Sequence, residues 1–425
     1  MLPRTCFPLP LTLLTVWMFA LLCPAAGARG DGPCQMQRLV SPNWARNAFF
    51  GDAIATDGEA LVVTAPGANS AGTNTGEAYV FRRAARGWRF EQLLVPSSGD
   101  GFGSDAAIDG DVILIGAAGA DDMGSLSGAA HIFRHDGSQW IEEQRMLPPP
   151  QSEGFAFGAS VALQGDLAVV GAPVLPYPPD EPGFVFVYQY NGSFWSFAHL
   201  IQAPDPGADQ QFGHAVATDG ARIVVGAHWS DVAATPGGGA AYVFQASNGF
   251  ALEKRLVPSS LQGFDEFGYD VAIDGDRLAI GAPRPWHGLG SVYTFELHGT
   301  SNWVQTQRLE PATGGTNEMF GSWLALSGPN LLVGAPQTFT SGQGRTYAYA
   351  LEGASWNLLS ELLPAPPAGP RATFGAGLAL AGDQAFASAR YADPGCEADV
   401  NCNSGAVYVF SLSGAGCLQL VTPRR

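Results

Sequence analysis

The chain has almost no lysine. Lys254 is the single one among 425 residues, and every other basic residue is arginine. Charge of either kind is scarce, at 14% of residues, and acid outnumbers base to leave a formal net charge of −17. A surface of this sign repels phosphate backbones and anionic headgroups, so nucleic acid is not an expected partner. The plainest role for the excess acid is solubility.

Long apolar runs are also missing beyond the N-terminus. No stretch after residue 28 approaches the roughly 18 uninterrupted apolar residues that a membrane-spanning helix needs. Nucleophile motifs are absent as well: there is no G-x-S-x-G elbow. Seven histidines are scattered, at 131, 135, 199, 214, 228, 287 and 298. Only His131 and His135 lie close enough to suggest shared metal ligation, and they straddle a strand end, so no metal site is expected.

What the sequence does have is glycine (55), proline (31) and a hydrophobic content of 46%. This combination excludes a disordered chain and suggests many short strands joined by turns. Residues 1–28 have the form of a cleaved export signal. Arg4 supplies a basic start, Leu11 to Leu22 an apolar run, and Ala26-Gly27-Ala28 a cleavage site. The expected location is therefore extracellular or periplasmic. Arg29-Gly30-Asp31 follows directly, a tripeptide too short to carry a function by itself, and Asn191-Gly192-Ser193 is a sequon in a turn.

Phe-Gly recurs at 50, 102, 157, 212, 267, 320 and 374, with spacings of 52 to 55. Each copy opens the same sequence of elements. In the third, Phe157 to Asp166 is followed by Leu167 to Pro173; in the fifth, Phe267 to Asp276 is followed by Arg277 to Pro283. A variable loop comes next, then a strand ending Tyr-x-Phe, then a Trp strand ending in Pro, such as Trp88 to Pro96 or Trp303 to Pro311. Val161 and Leu163 alternate with small residues, the period of a strand. Asp57-Gly58, Asp109-Gly110 and Asp274-Gly275 are hairpin turns. Four strands per copy, seven copies, predict an all-β fold: a seven-bladed β-propeller of four-stranded antiparallel blades over residues 29–425. Alanine in each first strand suits a crowded axis.

Cys34, Cys396, Cys402 and Cys417 remain after signal cleavage. An even number in an exported chain predicts two disulfides, with three pairings open. The repeat template narrows them. The segment 34–42 fits the Trp strand, with Cys34 at the Trp position, and in the last copy Cys417 takes that position. An N-terminal strand closing the last blade is expected, with Cys34–Cys417 tying the two ends and Cys396–Cys402 stapling the last long loop.

Phe-Gly, the Gly-Ala-Pro that follows some sixteen residues later (intact at 171–173, 281–283 and 334–336), and the Gly-x-x-Tyr-Val-Phe strand together resemble FG-GAP repeats. Those repeats build the N-terminal propeller of integrin α subunits and occur in many bacterial exported proteins. The resemblance implies a calcium loop between the first two strands, but here that connection is a tight turn such as Gln164-Gly-Asp166, with too few oxygens. No cofactor is expected. Asp121-Asp122 and the 393–399 loop are looser candidates for calcium.

The long connections, 66–76, 118–128, 173–183, 228–239, 283–290, 336–344 and 390–405, fall on one face. Variable loops on a rigid scaffold are where binding resides. Trp229, Trp286, His228, His287 and Tyr177 lie in them and are the expected contacts for a protein or glycan. The expected function is a monomeric, secreted, non-enzymatic adhesion or binding scaffold, with no catalytic residues. The alternatives are an extracellular polysaccharide hydrolase or lyase with carboxylates at the axis, and a structural envelope or matrix protein.

Overall fold

A computed structural model describes residues 32–414, apart from residue 44 and short loop stretches within 70–74, 98–100, 175–181, 206–209, 233–234, 285–287, 312–317, 338–341 and 395–401. The segment 1–31, and with it the export signal, lies outside the described residues.

The strands run in chain order. β1 (Cys34–Leu39) stands alone at the start. Blade 1 holds β2 (Ile54–Thr56), β3 (Ala60–Ala65), β4 (Glu77–Ala84) and β5 (Gly87–Leu94). Blade 2 holds β6 (Ala106–Asp109), β7 (Val112–Ala117), β8 (Ala129–His135) and β9 (Trp140–Met146). Blade 3 holds β10 (Ser160–Gln164), β11 (Leu167–Ala172), β12 (Phe184–Tyr190) and β13 (Trp195–Gln202). Blade 4 holds β14 (Val216–Thr218), β15 (Arg222–Ala227), β16 (Ala240–Gln245) and β17 (Ala251–Leu256). Blade 5 holds β18 (Val271–Asp274), β19 (Arg277–Ala282), β20 (Ser291–His298) and β21 (Asn302–Leu309). Blade 6 holds β22 (Trp323–Ser327), β23 (Asn330–Ala335), β24 (Arg345–Glu352) and β25 (Ser355–Leu362). Blade 7 holds β26 (Phe374–Ala381), β27 (Gln384–Ala389) and β28 (Ala406–Ser411).

Seven four-stranded antiparallel sheets result, so the fold is the seven-bladed propeller the repeats predict. Blade 7 has the order β1-β28-β27-β26, with Cys34 opposite Ser411 and Leu39 opposite Val407. Each innermost strand packs on those of both neighbouring blades, and β26 against β2 closes the ring. The mid-channel wall is largely alanine, including Ala55, Ala107, Ala162, Ala217, Ala325 and Ala379. A small side chain on the inner strand is what lets seven strands converge on one axis.

The core is divided among the seams between blades. One apolar cluster fills each of the seven, such as Val62 and Val80 of blade 1 against Ile113 and Ile115 of blade 2. Every Phe of the seven Phe-Gly pairs is fully buried. Each meets, edge to face, the ring at the Tyr position of its own third strand. Such pairs add about 0.5–1.5 kcal/mol beyond burial. In blade 2 that ring is His131, 5.2 Å from Phe102, with Nδ1 2.8 Å from Glu142 Oε1. His131 is therefore a core ring standing in for tyrosine.

The two glycine motifs touch across the seams. In blade 4 the Gly213 N–H donates to the carbonyl of Gly226 at 3.0 Å, joining the start of the blade to the end of its second strand. A Cβ on Gly226 would stand 2.0 Å from the Gly268 carbonyl oxygen of blade 5. Gly268 itself has φ +90°, and a Cβ there would stand 2.3 Å from the Ala240 oxygen. Only glycine allows this approach of backbones. Thr64 and Ser388 take the place of Gly226 in blades 1 and 7. There a side chain is accommodated, and Thr64 Oγ1 accepts the Ala53 N–H at 2.9 Å.

The outer strands are bracketed by glutamine. Gln37 Nε2 donates to the Trp88 carbonyl at 2.8 Å, and its Oε1 accepts the Trp88 N–H at 2.8 Å. Gln144 holds Trp195 in the same way, and Gln307 holds Trp356. Gln35 turns the other way and brackets the backbone of Ala365, after β25. β1 is thus fastened to blades 1 and 6 as well as to its own blade. Between blades 3 and 4 the bracket is replaced by His199 stacked on Phe250, centroids 5.3 Å apart.

Candidate functional site

The two residues after each Phe-Gly reach the axis on the face that carries the long loops. Around the ring they are Asp52-Ala53, Ser104-Asp105, Ala159-Ser160, His214-Ala215, Tyr269-Asp270, Ser322-Trp323 and Ala376-Gly377. The flanking motif repeats, but these positions do not. Most of them line one axial cavity of about 370 Å³.

Three of them latch neighbouring blades. Asp105 accepts its neighbour's N–H, Ala106, at 2.8 Å and that of Val161 in blade 3 at 2.7 Å. Asp270 does the same with Val271 at 2.8 Å and Leu324 of blade 6 at 2.6 Å. Ser160 Oγ accepts the Val216 N–H of blade 4 at 3.0 Å. Burial nevertheless pushes the Asp105 carboxyl up to about 6 and the Asp270 carboxyl up to about 7, against the lowering effect of these donors. Desolvation outweighs the hydrogen bonds because no cation pairs with either group.

An arc of rings and charges follows the cavity wall from blade 4 to blade 1. His214 and His228 pack at a tilt with centroids 4.2 Å apart, and Tyr269 lies 4.9 Å from one and 5.2 Å from the other. Tyr269 meets Trp323 edge-on at 6.5 Å. Arg390 sits 5.8 Å over Trp323 and 5.1 Å over Tyr391. Its Nη1 donates to Asp52 Oδ1 at 2.8 Å. Burial holds both imidazoles below their ordinary value, His228 well below, so they are neutral at pH 7. Burial also raises the Tyr269 phenol to about 12.

The residues expected from the loops fall differently. Trp229 is exposed at 42% and its indole lowers the nearby Glu266 carboxyl slightly, which burial nevertheless raises to about 7. His228 is not a loop contact for a partner. It is 3% exposed, because the chain leaving β15 turns its ring inward onto His214 and Tyr269. Trp286, His287 and Tyr177 lie outside the described residues. Cys34 and Cys402 are both disulfide-bonded; Cys417 and Cys396 lie outside the described residues. The looser calcium candidates are engaged otherwise. Asp121 accepts the Leu126 N–H at 2.7 Å, Asp122 pairs with Arg145, and Asp393 accepts the Asn403 N–H at 2.6 Å. Among the described residues no group of three or more His, Cys, Asp or Glu is placed to hold a metal ion. Nor is any helix among them long and apolar enough to cross a membrane.

The axial residues were not singled out by motif. The signal that finds them is inverse: two variable positions, mostly small residues but taken in turn by Asp, His, Tyr and Trp, embedded in an otherwise repeated sequence.

The family model described as FG-GAP repeat matches residues 34–81, 88–133, 140–188, 195–244 and 250–295. Each matched unit begins on an outer strand and ends on the third strand of the next blade, so the sequence unit is offset from the blade by one strand. No curated protein matches the chain. Among solved structures, a chain of a mitotic checkpoint complex aligns over 94% of this chain and 98% of its own length, with a TM-score of 0.56 and 10% identity. At that identity the likeness concerns the fold alone. A protein from Lactobacillus plantarum aligns over 73% of this chain and 84% of its own, with a TM-score of 0.49 and 13% identity.

Proposed function

The chain belongs to the FG-GAP repeat family, and from that premise we propose that it is an exported, non-enzymatic scaffold that binds a protein or glycan on its loop-rich face, centred on the axial mouth. The observation that carries this reading is the convergence of Tyr269, Trp323 and His214 on one open cavity, with Arg390 packed over Trp323 and Trp229 exposed on a nearby loop of the same face. Aromatic anchors beside engaged polar groups suit recognition. Asp105 and Asp270 spend oxygens on backbone N–H groups of two blades, which fits a structural duty better than proton transfer.

A binding screen of the mature chain against glycans and surface proteins tests it. A captured partner should be lost, or weakened about tenfold or more, in Trp323→Ala and in Trp229→Ala. Undiminished binding in both variants would remove this face. Export is tested by N-terminal sequencing of the secreted chain, expected to begin after Ala28.

A second reading has a specific observation behind it: two carboxyls that titrate near neutrality share one cavity. That is the property of a polysaccharide hydrolase's acid and base. Release of reducing ends from a polysaccharide panel, abolished in Asp270→Asn, would favour this second reading over the scaffold.

A further inference from the structure

The axial cavity has an uneven supply of hydrogen-bonding groups. Its hydroxyls are already used: Ser104 Oγ donates to the Gly158 carbonyl at 2.7 Å, and Ser322 Oγ to the Met319 carbonyl at 2.8 Å. Ser160 is held between the Val216 N–H and Asp105. Arg390, the one cation of the arc, is paired with Asp52. The Tyr269 hydroxyl and the buried, unpartnered Arg390 Nε–H are the donors that remain.

Acceptors remain in surplus. Each oxygen of Asp105 and of Asp270 accepts one backbone N–H, which leaves a lone pair on both oxygens of Asp270 and, with Ser160 on the other, on one oxygen of Asp105. His214 Nδ1 lies 3.0 Å from the Tyr269 carbonyl oxygen. A carbonyl only accepts, so Nδ1 carries the proton and Nε2 is the bare acceptor of a neutral ring. Behind it, buried His228 has an Nδ1 without a hydrogen-bond partner. The wall already accommodates a cation, since Arg390 lies over Trp323.

We propose that this cavity binds a primary ammonium group, taken between the carboxylates of Asp105 and Asp270, His214 Nε2 and the aromatic wall of Tyr269 and Trp323. An ammonium brings three N–H donors and the positive charge that the two carboxylates lack. The site is independent of any macromolecular partner docking on the surrounding loops. The source of the group is a free small amine or a lysine side chain of a peptide.

The charged groups facing the site fix its pH behaviour. Asp105 and Asp270 hold protons near neutrality, so ammonium binding expels them. Asp52 is neutralised by Arg390 and contributes little. Glu266, near Trp229, titrates in the same direction as the two aspartates. Protonation of His214 or His228 at acid pH opposes the cation. Affinity therefore falls as pH falls.

Calorimetry with n-butylamine tests this, using n-butanol as the uncharged probe. At about pH 6.5, in two buffers of different ionisation enthalpy, n-butylamine should bind with net proton release, and at about pH 8.5 with almost none. Butanol should bind at least about tenfold more weakly. Asp270→Asn should lower amine affinity about tenfold, and His214→Phe, which leaves both aspartate latches intact, should lower it also. Binding of Nα-acetyl-lysine methylamide would identify a peptide side chain as a competent source; binding of n-butylamine alone would assign a free amine. Absence of amine binding, equal binding of butanol, or binding without proton release at about pH 6.5 would overturn the proposal.

Discussion

The side chain of Gln92 holds the backbone of Trp140 from both sides. Its Nε2 donates to the Trp140 carbonyl at 2.7 Å, and its Oε1 accepts the Trp140 N–H at 2.8 Å. One residue of blade 1 thereby supplies the edge of blade 2 with a donor and an acceptor that a flanking strand would otherwise give.

Gln92→Ala removes both bonds and is expected to destabilise the fold by about 1–2 kcal/mol, since two partly buried backbone groups lose their partners. Gln144→Ala should behave alike. Lys254, which holds the equivalent place in blade 4, makes no such bracket, so Lys254→Ala should cost little. Urea unfolding with unchanged m-value checks all three.

Gly226→Ala should cost about 1–3 kcal/mol, because the new methyl meets the Gly268 carbonyl oxygen and the blades must part to admit it. Introducing glycine at Ser388, where blade 7 already holds a side chain, should not relieve or cause such a clash. Thermal melting of the two variants distinguishes steric demand from loss of a side chain.

The acid and base groups of the axial arc pull stability in opposite directions. Asp105, Asp270 and Glu266 have raised folded values, so their contribution is fully present at about pH 4 and is lost as pH rises through about 6–7. His214 and His228 have lowered values, so theirs is present above about 6.5 and is lost as pH falls. In a His214→Gln, His228→Phe double variant only the carboxyl side remains. Its melting temperature should climb between about pH 8 and about pH 5, while that of the wild type changes less.

A non-reducing peptide map should recover Cys34 joined to Cys417 and Cys402 joined to Cys396. Reduction should then lower the melting temperature, because the first of these cross-links closes a loop of nearly the whole chain, worth at most about 6 kcal/mol in the chain-entropy model. Cys34 found with Cys402 would contradict the pairing.

The blade was legible because its rules are local and repeated. Phe157, Gly158, Gly171 and Trp195 answer to packing and backbone constraints that recur every blade, so period alone reveals them. The axial arc was not legible for the opposite reason. His214 and Asp270 lie on different blades and line one cavity only once those blades have packed together. Their positions carry no motif, only variation. At His228 a loop position does not mean exposure. Its ring instead follows the inward turn after β15 and is buried on His214.

Of the propeller's strands, β1 leaves the ribosome first and is placed last. Until β28 has been made, its partner does not exist, and until β1 arrives β28 has a bare edge. Synthesis and folding therefore cannot proceed blade by blade to completion; the finished ring depends on a meeting between the two extremes of the chain. An interrupted chain has no way to complete blade 7, and its unpaired edge marks it as unfinished. Two crowded chains could satisfy the same edge by exchanging first strands, so dilution during refolding should favour closed monomers over linked pairs.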